Sequence, residues 1–261
     1  MATDFSTKYT DANIAQDAAQ YDPGLFQRLY EKLSKALHSD TLAIALIASI
    51  LCAQARGDTA VRVFRDVTKD KSETEVRAIF TAVREAVTLA VPFVGLPNCM
   101  PACFGLVNEL KGRGIEEVPA PRRANFGDFD YTKHGEESVS TIYRGVGNSE
   151  VRQMIQQYFP EMSYYGRTTV WGYLVGSSPV FELKDAEILV AASITALGAT
   201  RQARSHVKCA ISVGNTMEVV TAVIETAREV GAWNRRSLSG EIDVRQLAEE
   251  LERNLAKETK V

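Results

Sequence analysis

With 261 residues, the chain is long enough for one large domain or two small ones, and 30 basic against 33 acidic side chains give it a net charge of −3. That balance, with a pI near 5.8, leaves no electrostatic footprint for nucleic acid or an anionic membrane. Four cysteines do not make a disulfide framework, so a reducing compartment, the cytoplasm, is the expected setting.

The N-terminal stretch MATDFSTKYTDANIAQD is polar and lacks the apolar core of a signal peptide. The only long apolar run, 41–53, is too short to span a bilayer, and the terminal ETKV is not a peroxisomal signal. Residues 1–24 read as a mobile lead-in that ends in a turn at Asp22, Pro23 and Gly24. Phe26, Leu29, Tyr30 and Leu33 then recur at helical spacing over 25–37. Ser39 and Asp40 cap an apolar helix over 41–54; a turn at 55–58 and a helix over 59–67 follow. The run Ser72, Glu73, Thr74, Glu75 opens a long helix whose stripe is Val76, Ile79, Phe80, Val83 and Val87. Gly95, Leu96 and Pro97 end it, and 101–110 forms a further short helix.

Residues 111–136, rich in glycine, proline and mixed charge, read as a connector between two halves, 25–110 and 137–235. Segments 139–146, 150–158 and 161–175 open the second half, the last two as helices. Helices over 183–197, 203–213 and 217–230 follow, with Asp185 or Ser178 capping the first, Gly198 ending it, Gly214 and Asn215 ending the second, and Thr216 capping the third. Each half runs apolar helix, turn, shorter helix, polar loop and long helix, so the pattern predicts an internally duplicated all-α protein with a degenerate first repeat. Beyond it, 236–261 carries the stripe Val244, Leu247, Ala248, Leu251 and Leu255, an amphipathic helix able to pack on the domain or on another subunit.

The chemistry concentrates in the hairpin about Gly198. Glu187 lies eleven residues before that glycine and His206 eight after it, so a rise of about 1.5 Å per residue brings them to similar heights, offset by roughly one turn. A carboxylate facing an imidazole in an apolar element is an acid/base pair: an unperturbed imidazole changes charge near neutrality, which suits His206 to proton transfer, and Glu187 would orient and polarise it or itself move a proton if burial raises its pKa. The bland alternatives are a histidine satisfied by a helix carbonyl or exposed between Arg204 and Lys208, and an exposed first-turn carboxylate favoured by the helix dipole. Cys209, three residues after His206, is either a thiol made reactive by an imidazolium or a small buried hydrophobe. Cys99 and Cys103 form a Cys-x-x-x-Cys pair, better read as core thiols than as a redox motif. Tyr164, Tyr165, Trp171 and Tyr173 are the aromatics that would line a pocket over the pair. Arg167 and Arg204 are candidate partners for a substrate carboxylate, and Arg201 reads as solvated. His38 and His134 stand alone with no metal-ligand spacing, so surface positions and no metal are expected. No phosphate-binding loop, dinucleotide fingerprint or nucleophile elbow occurs.

Three stretches, YFPEMSYYGRTTVWGYL, DAEILVAASITALGA and RSHVKCAISVGNTMEVVTAVIETAREVGAW, resemble the carboxymuconolactone decarboxylase family of the alkylhydroperoxidase D-like superfamily. The resemblance covers about 141–233 well and 40–103 loosely. In the peroxidase branch a glutamate, a Cys-x-x-Cys pair and a histidine carry the reaction. Glu187 and His206 match the outer two, whereas Ala199 and Gln202 stand at the cysteine positions. The resemblance therefore implies a cofactor-free helical subunit of a homo-oligomer, acting by acid/base chemistry on a small organic acid or lactone. A thiol-dependent peroxidase working through Cys209, or through Cys99 with Cys103, is the second possibility. A non-catalytic binding or scaffold protein, with Glu187 and His206 apart, or exposed with no adjoining pocket, is the third.

Overall fold

Helices that are apolar on every side are covered by their neighbours in a folded chain, and two such helices sit at the centre here. The computed structural model describes residues 4–147, 149–238 and 240–258. Among them α2 (Asp40–Ala53) buries every residue from Leu42 onward, and α9 (Leu183–Ala196) every residue from Ala186 onward. They pack against each other and share α4 (Glu73–Val94) as a common neighbour. Around them lie α1 (Pro23–Leu37), α3 (Gly57–Val67), α5 (Leu96–Gly112), α10 (Thr200–Ser212) and α11 (Met217–Trp233). The expected all-α class holds for the described residues: all their regular structure is helical.

Several boundaries follow from their caps. Ser72 and Glu75 form a reciprocal capping box at the start of α4, and Thr216 accepts from the Val219 amide to start α11. Asp22 and Pro23 do not end a lead-in turn; Asp22 caps α1 and Pro23 is its first residue. Nor do Gly95, Leu96 and Pro97 separate two distant helices, because α5 begins at once with Leu96. Neither Asp185 nor Ser178 caps α9. Glu182 holds the N-cap position without a side-chain bond, while Ser178 Oγ accepts from the Phe181 amide and donates to Glu85.

The lead-in contains a single π-helical turn, π1 (Ser6–Thr10), packed on α5 with Tyr9 against Phe104. Further on, the Gln20 carbonyl accepts from Trp233 Nε1 at 2.9 Å. The connector lies along α4: Arg84 holds the Val118 and Pro119 carbonyls, and Arg123 pairs with Glu85 and the Leu174 carbonyl. Then come α6 (Tyr131–Ile142), α7 (Ser149–Tyr158) and α8 (Pro160–Tyr165), the last running straight into a ten-residue π-helix, π2 (Gly166–Val175). Helix α6 and π2 touch backbone to backbone at glycines. A Cβ on Gly135 would overlap the Arg167 carbonyl, and one on Gly172 would overlap the Tyr131 carbonyl.

The last helix, α12 (Val244–Glu258), sets Val244, Leu247, Ala248 and Leu251 against α10 and α11 of its own chain. The final residues of the ETKV terminus and the first three of the lead-in lie outside the described residues. No helix among the described residues is long and apolar enough to cross a membrane.

Candidate active site

Glycine 198, at φ +76°, takes the left-handed backbone that turns α9 into α10. The antiparallel hairpin that results carries Glu187 outward along α9 and His206 back along α10. His206 Nδ1 lies 2.7 Å from Glu187 Oε1, the carboxylate fully buried and the imidazole 5% exposed. The height arithmetic from the sequence is met.

Three rings from three other elements enclose the imidazole. Trp171 from π2 stacks on it at 5.9 Å with only 13° between planes. Phe93 from the last turn of α4 and Tyr143, which follows α6, meet it edge-on. Tyr143 Oη is 3.2 Å from His206 Nε2. With Nδ1 donating to the carboxylate, Nε2 is left to accept from that hydroxyl. Two bonds keep the Tyr143 turn against α10: Ser212 Oγ donates to the Ile142 carbonyl at 2.7 Å, and Lys208 Nζ to the Val146 carbonyl at 3.0 Å. The Gly135 and Gly172 contact sets how closely α6 and π2 approach, and these two elements lead to Tyr143 and carry Trp171.

Burial pushes the Glu187 carboxyl above its usual range, and the His206 charge only partly offsets this. Its second oxygen, Oε2, has no hydrogen-bond partner. Burial also raises the Tyr143 hydroxyl well above its ordinary value, with the neighbouring Cys209 and Glu187 adding to the effect. Tyr143 is therefore a donor at neutral pH. Burial, then the Glu187 charge, push the Cys209 thiol far up, so it stays protonated and poorly nucleophilic. Glu187, His206 and Cys209 each place one ligand atom within 4.8 Å of the others, the one such group of three among the described residues. Oxygen, nitrogen and sulfur donors are a set that Zn²⁺ accepts. Here the first two are joined to each other and the third keeps its proton.

Trp171 is where a pocket over the pair requires it. The other expected lining residues are elsewhere. Tyr165 and Tyr164 are half exposed on α8. Tyr173 stacks on Phe126 and meets Tyr131, on a different side of π2 from Trp171. Arg167 pairs with Glu136 at 2.8 Å, and Arg204 lies 3.8 Å from Glu250 of α12; neither has a recorded contact with His206. His38 is exposed at the left-handed C-cap of α1. His134 is half-buried, with Nε2 2.9 Å from the Gly176 carbonyl. Cys99 faces Cys52 of α2 and not only Cys103: both are free thiols, and their proximity raises the Cys52 thiol and lowers that of Cys99.

Sequence reasoning missed Tyr143 and Phe93. Phe93 belongs to the first half, which looked chemically unequipped, and only the packing of α4 beside α9 brings it to His206. No family model, curated protein or solved structure matches the chain.

Proposed function

We propose that the protein is a cofactor-independent enzyme of the carboxymuconolactone decarboxylase type, an internally duplicated helical subunit of a cytoplasmic homo-oligomer. Its reaction would be a lyase or isomerase step on a small organic acid or lactone. The observation that carries this reading is the 2.7 Å contact between Glu187 and a buried His206 whose other nitrogen meets Tyr143. In a decarboxylation, the electrons of the breaking C–C bond pass into an adjacent double bond and form an enolate. His206, protonated at Nε2 from solvent before the step and held as imidazolium by Glu187, would deliver that proton to carbon, and the Tyr143 hydroxyl, released from Nε2 by that protonation, would donate to the enolate oxygen. Trp171, Phe93 and Tyr143 are each partly exposed, and a small planar acid would enter between them to reach Nε2.

The thiol-dependent reading through Cys209 fares worse because that thiol is buried and held protonated. A non-catalytic scaffold would leave the pair apart, or exposed with no adjoining pocket; the 2.7 Å contact and the burial of both groups favour the catalytic reading. The test begins with the NMR titration of His206, one of three histidines, in wild type and in Glu187→Gln. The titration should move clearly with that substitution. Turnover of a panel of small carboxylated lactones and unsaturated acids should then vanish in His206→Ala and slow about tenfold or more in Tyr143→Phe. An insensitive titration, or turnover that survives His206→Ala, rejects the assignment.

A further inference from the structure

An amphipathic helix is held by what covers its apolar side, and α7 has almost nothing of its own chain there. Val151, Met154, Ile155 and Tyr158 fall at i, i+3, i+4 and i+7, one face of the helix. Phe159, Met162 and Tyr165 carry that surface across the turn into α8. Neither helix buries a single residue. Tyr158 is 68% exposed, and Met154, Phe159, Met162 and Tyr165 are each about half exposed. At ten residues, α7 is shorter than the roughly 12–15 residues at which even a good isolated helix is marginal. Its main neighbour within the chain is the six-residue α8.

We propose that this face is the contact between two copies of this chain, each covering the other's α7 and α8 about a two-fold axis. The area fits that occupant. Large aromatic side chains bury roughly 150–250 Å² each, so five large side chains at about half exposure present about 500 Å² per copy. Two such faces together remove about 1,000 Å² from water, the least that a specific interface needs. The charge fits as well. Across 149–165 the only charged residues are Glu150, Arg152 and Glu161, and the polar side is built from Gln153, Gln156 and Gln157. A helix lying on an anionic membrane carries lysines and arginines there, and a nucleic-acid surface would be basic. A nearly neutral face bearing both signs is one that its own copy meets without net repulsion.

The proposal rests on this surface alone and is independent of the acid/base assignment. The two are linked only in that α8 continues into π2, the helix that holds Trp171 over His206.

Light scattering and sedimentation of the full chain test it. Wild type should show an even multiple of the 28.7 kDa chain mass. A Met154→Glu/Tyr158→Glu variant should show half the wild-type mass while its circular dichroism stays predominantly helical, since α7 and α8 bury no residue in the core. As a second measurement that does not rely on disruption, Tyr158→Cys under mild oxidation should yield covalently joined pairs that wild type does not. A wild-type mass of one chain or an odd multiple, an unchanged mass in the double variant, or no joined pairs from Tyr158→Cys overturns it. So does wild type that stays single and instead sediments with vesicles of anionic phospholipid.

Discussion

Two buried ion pairs, Arg56 with Asp58 and Glu187 with His206, are finished differently. Arg56 is the N-cap residue of α3. Its guanidinium spends all five donors. Two go to Asp58 at 2.9 and 3.0 Å, one to Thr59, one to the Ala19 carbonyl and one to Asn234, while the Trp233 ring lies 4.5 Å away. The Glu187 and His206 pair is as dry, yet one carboxylate oxygen has no partner and the imidazole faces a ring cluster that is only half-buried. A closed network ties the N-terminal lead-in and the α11 terminus to the α2–α3 corner. An open one leaves hydrogen-bonding capacity unspent at an elevated carboxyl, which is what proton transfer uses.

The largest effect that would break this comparison is catalytic. His206→Ala should lower turnover by about 10²–10⁴-fold while the far-ultraviolet spectrum stays helical. Next, Asp58→Ala strands the buried Arg56 charge and should cost about 3–5 kcal/mol in urea unfolding. Its folded fraction should keep wild-type turnover. Were Asp58→Ala neutral for stability, the closed network would not be structural and the contrast would fail. Smaller still, Gly172→Ala forces a methyl group into the Tyr131 carbonyl and should cost about 1–3 kcal/mol, the usual range for overpacking. Because π2 also carries Trp171, its fluorescence should shift in the same variant. A shift in stability without a change at Trp171 would show that the glycine contact does not position the site.

The sequence disclosed what depends on local geometry. Glu187 and His206 were found because two helices of fixed rise folded about one glycine leave little freedom in which residues meet. The caps at Ser39, Ser72 and Thr216 were legible for the same reason: side chain and amide are three residues apart. Tyr143 and Phe93 were not, since nothing near them in the chain says that Ser212 will hold the Ile142 carbonyl or that α4 will lie beside α9. The π-helical winding of 166–175 was hidden too. It changes which residues share a side, so Trp171 reaches His206 while Tyr173, expected beside it, turns to Phe126. Ser178 resembled a cap but spends its hydroxyl on Glu85, 93 residues away.

The smallest and most diagnostic effect concerns acid. The Glu187 carboxyl is raised from its ordinary value of 4.5, by burial first and against the pull of His206. Between 4.5 and that higher native value the folded chain holds a proton that the unfolded chain has released. Protons bound in the native state exceed those in the unfolded state, so this group's contribution to stability is present below 4.5 and is lost as pH rises through the window. Glu187→Gln has no proton to lose. Urea midpoints measured from pH 4 to pH 7 should therefore show wild type losing ground to the variant with rising pH. The Arg56 network supplies the internal control, because Asp58→Ala should leave the Glu187-dependent slope in place. A wild-type advantage that instead grows with pH would mean that His206 outweighs burial. The pair would then be a stabilising salt bridge, finished like Arg56 and Asp58, and its open oxygen would have no part in chemistry.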